Sequence, residues 1–158
     1  MNLLRSWLVI AVLAAASALP AAGATVGSRT IVVTSVTIKY VSHDTGAKGP
    51  SKGDTAVYHD RLLNAKAQFG KKKGAKVGTD SGTLSFTGAH TATFKGEAKL
   101  PGGTLTLSGD VYTLQNGDLV IPVTGGTGDF AGMTGTLTVG TGKNHVRNTY
   151  TLKAGQIA

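Results

Sequence analysis

From residue 30 onward the chain alternates apolar and polar residues with a period of two, segment after segment. Residues 30–41 (TIVVTSVTIKYV) are dense in β-branched side chains and set Val32, Val36, Ile38 and Tyr40 on one face. Residues 54–63 place Ala56, Tyr58, Asp60 and Leu62 against Val57, His59, Arg61 and Leu63. Strands follow over 76–86 and 90–100, the latter with Ala92 and Phe94 on one side and Thr91, Thr93 and Lys95 on the other. Residues 104–114 oppose Leu105, Leu107 and Val111 to Thr104, Thr106 and Ser108. Segments 119–123 and 134–139 are shorter, and 146–152 puts Val146, Asn148, Tyr150 and Leu152 on one face. Such alternation bounded by Gly, Asn and Asp is the mark of half-buried strands.

Pro101-Gly102-Gly103 and Asn116-Gly117-Asp118 stand where hairpins need residues that accept positive φ. No later segment carries a capped 3.6-residue apolar period. Eight short antiparallel strands predict an all-β fold, an eight-stranded antiparallel β-barrel, because closure removes exposed edges. A barrel of that size holds side chains or one small ligand. A two-sheet sandwich is the competing arrangement.

The first 24 residues follow a different pattern. Arg5 precedes an almost unbroken apolar run over residues 7–19, and Ala22-Gly23-Ala24 supplies small residues for cleavage. This is the layout of a secretory signal peptide cut near Ala24. At about 13 residues the run is short for a membrane span of roughly 20. The expected organisation is a signal peptide over 1–24 and one domain over 25–158, secreted or periplasmic. The chain has 158 residues and no cysteine, so disulfides, thiolate metal sites and cysteine nucleophiles are excluded. Sixteen Lys and Arg against eight Asp and Glu give a formal charge of +8, which loss of Arg5 lowers to +7.

Lys66, Lys71, Lys72, Lys73 and Lys76 lie in one stretch without an acid. With only Phe69 among them, the aromatic interleaving of single-strand nucleic-acid binders is missing, so nucleic acid is not an expected partner. The run reads as a solvated loop between the second and third strands, with weak contact to an anionic surface as its functional alternative. His43, His59, His90 and His145 are scattered singly, without metal-ligand spacing.

Gly126-Thr127-Gly128-Asp129-Phe130-Ala131 fits the G-x-G-x-x-G/A pattern of dinucleotide sites. That chemistry needs a helix opening at its end and an acid some 20 residues on. Here Gly and Thr follow, and no Asp or Glu occurs after Asp129. The glycines are better read as a turn with Phe130 as a hydrophobic plug. The wider segment 123–135 (VTGGTGDFAGMTG) resembles the V-T-G-G-T/S-G-x-F/Y-x-x-x-x-G signature of the allene oxide cyclase and dirigent-protein superfamily. Gly53-Asp54 with residues 57–65 (VYHDRLLNA), residues 76–82 (KVGTDSG) and residues 100–109 (LPGGTLTLSG) are similar, in the same order, to stretches of its bacterial members.

The resemblance covers roughly residues 53–152. It implies an eight-stranded barrel that takes an apolar small molecule inside and steers a cyclisation or coupling without a cofactor. It also matches Asp60 to an asparagine that helps hold a water in allene oxide cyclases. Their first-strand glutamate has no counterpart in residues 30–41, so the chemistry implied is a different ring closure or coupling. Asp44 after His43 is similar to a His-Asp pair of dirigent proteins.

Two readings of function follow. In one, Asp60 and Asp44 are catalytic polar groups, with Tyr40, Tyr58, Tyr150 and Phe130 contacting substrate. In the other, the barrel is a non-catalytic binder of a small molecule or acts at the cell envelope. Asp60 shares a face with Ala56, Tyr58 and Leu62, so it either enters the barrel or pairs with Arg61 or Arg147 at the rim. Buried, its carboxyl would serve as acid or base. The tyrosines line a pocket or fill the barrel with hydroxyls at its mouth. Oligomeric state is left open by the sequence.

Overall fold

A computed structural model describes residues 27–46, 48–114, 116–141 and 146–154, the side chains of Thr113 and Thr141 excepted. The expected signal segment 1–24, its cleavage site near Ala24, and His145 lie outside these residues.

Eight strands follow one another: β1 (Arg29–His43), β2 (Thr55–Asn64), β3 (Lys76–Phe86), β4 (Ala92–Leu100), β5 (Gly103–Thr113), β6 (Leu119–Gly126), β7 (Met133–Thr141) and β8 (Val146–Ala154). Each pairs antiparallel with the next, and β1 pairs with β8, so the sheet closes into a barrel. The predicted strands are all present within a few residues of their expected bounds. The sandwich is excluded by the continuous ladder.

Alternation decides what fills the interior. Leu62, Phe94, Leu105, Leu107, Leu137, Tyr150 and Leu152 point inward and are almost wholly buried. Sheet closure and this packing, rather than covalent staples, hold the barrel together.

In β1 the expected face is wrong. Ile31, Val33 and Ser35 are the inward residues, and Ile38 is 58% exposed. The β1–β2 register slips between Thr37 and Lys39. A bulge there inserts one extra residue and reverses the alternation beyond it. Tyr40 therefore reaches the barrel mouth although Val32, eight residues earlier on the same nominal face, points outward. Val32 is still buried because the β2–β3 connection covers it: Ala65 N–H donates to its carbonyl and Gln68 hydrogen-bonds its backbone.

Antiparallel order gives the barrel two unlike ends. The β2–β3, β4–β5 and β6–β7 connections gather at one. At that closed end a 3-10 turn, Gly128–Phe130, folds Phe130 into the core, where it is fully buried. At the other end the described β1–β8 pairs run over Arg29–Ser35, and β1 continues along β2 as far as His43. Among the described residues the β1–β8 pairing reaches Ser35 and Val146, and the residues around this end of the barrel line an open cavity.

Candidate functional site

The open end leads into a cavity of about 280 Å³. Its wall is apolar and aromatic: Tyr40, Tyr58, Leu84, Phe94, Val111 and Ile121 line it, and Asp60 and Asn148 supply the polar contacts. The Tyr58 and Phe94 rings stack with centroids 5.9 Å apart and planes 27° from parallel. Glycine makes that wall possible. Gly82 and Gly96 face each other across β3 and β4, and a methyl group at residue 82 would overlap the Phe94 ring. The ring thus lies over bare backbone, a filling role that glycine pairs leave to aromatic neighbours.

Beneath this wall sits a buried polar cluster. Asp60 on β2 is the direct cross-strand partner of Asp80 on β3, and both are inward. Asp60 is 8% exposed and Asp80 2%. Ser35 Oγ donates to Asp60 Oδ2 at 2.5 Å, and Asn148 Nδ2 donates to Asp80 Oδ2 at 3.3 Å. The remaining oxygens, Oδ1 of Asp60 and of Asp80, have no hydrogen-bond donor among the described groups. The Tyr150 hydroxyl faces Asp80 and Asn148 but completes hydrogen-bond geometry with neither. No described Lys or Arg forms an ion pair with either acid.

Two adjacent carboxyls in low dielectric resist ionising together. Burial, reinforced by the negative charge of Asp60, pushes the Asp80 carboxyl up to about 7, with Tyr150 and Asn148 pulling only partly against it. A proton on Asp80 also provides the donor that the bare carboxylate oxygens lack. Burial, with Asp80 and Asp60 nearby, likewise keeps the Tyr58 and Tyr150 hydroxyls protonated well beyond the ordinary range for tyrosine. Asp80 therefore carries an exchangeable proton near neutral pH, where a general acid or base works best.

The residues singled out from the sequence fall in three places. Asp60, Tyr40 and Tyr58 meet at the cavity, and Asp60 is inside the barrel rather than paired with Arg61 or Arg147 at the rim. Tyr150 lies fully buried behind them. Asp44 is exposed on the β1–β2 connection, beside a separate hollow that also touches Tyr40, His43 and Asp54. Phe130 is at the closed end, away from the cavity lining. Sequence reasoning did not single out Asp80, Ser35 or Asn148 as site residues. Among the described residues no three His, Asp or Glu converge as metal ligands would.

The connection beside the mouth is tied by Asp54. Its Oδ1 accepts from Thr45 N (2.8 Å) and Thr45 Oγ1, and its Oδ2 accepts from Ser51 N (2.7 Å) and Ser51 Oγ. The Thr45 backbone bond leads the causes that hold this carboxyl below its ordinary value. Its folded pKa is lowered, so its contribution is present at neutral pH and fades as pH falls through that depressed value. Asp54→Ala is expected to speed amide exchange at Thr45 and Ser51 in hydrogen-exchange measurements, leaving β6 and β7 unchanged. Unaltered exchange at those two amides would show that the clamp does not order the connection.

Comparison with known proteins agrees with this architecture. No curated protein sequence matches the chain. Among solved structures, a pyocyanin demethylase superposes with a TM-score of 0.65 at 24% identity, covering 79% of this chain and 100% of that one. A Diels–Alderase from Streptomyces koyangensis gives 0.54 at 17% identity, covering 78% and 62%. A pterocarpan synthase dirigent protein gives 0.50 at 15% identity, covering 84% and 90%. At such identities the likeness is one of fold. The family described as "Allene oxide cyclase barrel like domain" matches residues 34–157, from the middle of β1 through the end of β8, and the chain belongs to that family.

Proposed function

We propose that this protein is an exported barrel that takes an apolar small molecule into its cavity and guides a ring closure or coupling by proton transfer. The observation carrying this reading is the Asp60–Asp80 pair: two buried, cross-strand carboxyls beneath an aromatic cavity, with the Asp80 carboxyl pushed up to about 7. Asp60, which lines the cavity, exchanges the proton with the ligand, and Asp80 behind it stores the proton. Tyr40, Tyr58 and Phe94 hold the ligand by its faces, and Asn148 orients Asp80 through its amide. Such catalysis rests on shape and a few polar contacts.

In the ring closure one proton leaves the substrate and one arrives at another of its atoms. The step is balanced without an oxidant or reductant, and the proposal calls for no cofactor. A cavity of about 280 Å³ is at the small end of ligand pockets, which run from roughly 300 Å³ upward, and favours a compact, flat molecule. That the fold neighbours include a Diels–Alderase and a pterocarpan synthase dirigent protein supports small-molecule transformation in such a barrel. The charged, apolar and small-residue order of residues 1–24 supports export.

Deuterium wash-in into small cyclic enones, followed by mass spectrometry, tests proton transfer without the natural substrate. The wild type is expected to accelerate wash-in for an enone that binds. Asp60→Asn should lose about 10²- to 10⁴-fold of that rate, the usual worth of a general acid or base, with binding retained. Binding without wash-in in the wild type would leave the non-catalytic binder as the correct reading, and undiminished wash-in in Asp60→Asn would remove Asp60 from the role.

A further inference from the structure

The closed end of the barrel is predominantly positive. Lys66, Lys71, Lys72 and Lys73 stand on the β2–β3 connection, Lys76 begins β3, and Lys153 lies near the end of β8. All six are exposed, and none forms an ion pair among the described residues, where the single pair is Lys99 with Glu97. Asp129 is the one acid on the three connections at this end. At the mouth the β1–β2 connection mixes Lys48 and Lys52 with Asp44 and Asp54.

The lysine-bearing connection is also built rigidly. Asn64, buried at the end of β2, donates its amide to the carbonyls of Gln68 (2.9 Å), Lys71 (3.0 Å) and Lys72 (3.3 Å). Gln68 reaches across to β1 and donates Nε2 to the Val32 carbonyl at 2.6 Å, and its backbone bridges to Lys71. Phe69 is held in the left-handed region (φ 55), with the Arg29 guanidinium 5.4 Å from its ring. Four lysines are thus presented on a fixed backbone, and binding would order only their side chains.

We infer that this end is a docking surface for an anionic phospholipid membrane, which it meets with the cavity mouth turned away. The partner's chemistry follows from what the end offers and lacks. Lysines are mobile point charges suited to a field of headgroups, whereas base recognition uses stacking faces and arginine forks. The one aromatic ring on the connection is covered by Arg29, and Arg29 itself is taken up by Phe69 and Phe130. A barrel end carrying its lysines on one protruding connection touches a plane at several points together. The surface shares no residue with the cavity, so it stands independently of the proposed proton transfer.

Flotation of the full chain with phosphatidylcholine vesicles, with and without phosphatidylglycerol, tests the inference. Binding is expected only with phosphatidylglycerol and should be released by high salt. Each lysine near an anionic leaflet is worth roughly a fivefold change in partitioning, so Lys71→Gln/Lys72→Gln/Lys73→Gln should bind about 100-fold more weakly. Lys39→Gln/Lys48→Gln/Lys52→Gln, which removes the same charge at the mouth end, should bind nearly as the wild type does. Circular dichroism confirms that both variants remain folded. Equal losses in the two variants would reduce the effect to net charge and overturn the assignment. So would binding to plain phosphatidylcholine, or tighter binding to a single-stranded DNA oligonucleotide than to the anionic vesicles.

Discussion

Replacing Asp80 with asparagine is expected to stabilise the barrel above neutral pH and to abolish the proposed proton transfer. In the folded chain the Asp80 carboxyl is held at about 7, against 3.8 for the free side chain. A raised folded pKa means that the protonated form is favoured by folding. That contribution is complete below about pH 4 and is lost as pH rises through 7. At about 1.4 kcal/mol for each tenfold in proton affinity, the loss approaches 4 kcal/mol by pH 8. Asparagine keeps the shape, can still accept from Asn148 Nδ2, and carries no charge to bury beside Asp60. Thermal midpoints measured from pH 4 to pH 8 should fall for the wild type and stay nearly level for Asp80→Asn. Parallel profiles would show that Asp80 does not change its protonation over that range, and the proton-storing role proposed for Asp80 would fail with it.

This prediction turns on a residue that sequence reasoning passed over, and the reason is physical. The inward positions of the first half of β3 are Gly78, Asp80 and Gly82, so Val77-Gly78-Thr79-Asp80-Ser81-Gly82, though read as part of a strand, has no apolar alternation to mark its inner face. The signal lay further along the strand. Leu84 and Phe86 share the phase of Asp80, and counting back from them by twos places its carboxyl inside. By contrast β2, β4, β5 and β8 state their inner faces openly, because large apolar residues alternate there with threonine and charge. β1 misleads for a third reason. Nearly every residue from Ile31 to Val36 is β-branched, so neither face is marked, and the bulge near Ile38 reverses the phase unseen.

The order of strands, the closed barrel and the family were legible because they rest on turn glycines and alternation, which are local. The candidate site was legible only in part. Asp60, Tyr40 and Tyr58 could be named from their faces, but the polar groups around Asp60, namely Asp80, Ser35 and Asn148, come from β3, β1 and β8. Register joins them, and register is a property of the closed sheet rather than of any one segment. The same closure separates Phe130 from the residues it was grouped with, sending it to the opposite end.

That separation leads to a second large effect. Phe130→Ala is expected to cost about 3–5 kcal/mol, the usual loss for truncating a wholly buried aromatic side chain, while leaving affinity for an apolar probe in the cavity unchanged. The ring is fully buried beneath the Arg29 guanidinium, 4.9 Å from its centroid, and the backbone around it has no slack. Asp129 N–H donates to the Gly102 carbonyl at 2.8 Å, and a side chain at Gly126 would collide with Phe130 Cβ. The closed end is therefore shaped around this one ring and cannot collapse to fill its loss. Phe94→Ala provides the contrast, because Phe94 is just as buried but lines the cavity and stacks on Tyr58. Its removal should change both stability and probe affinity. Urea unfolding and fluorescence titration of the two variants with an apolar dye separate the roles. Should Phe130→Ala weaken the dye as much as Phe94→Ala does, the binding site would extend to the closed end and Phe130 would be a ligand contact rather than a plug.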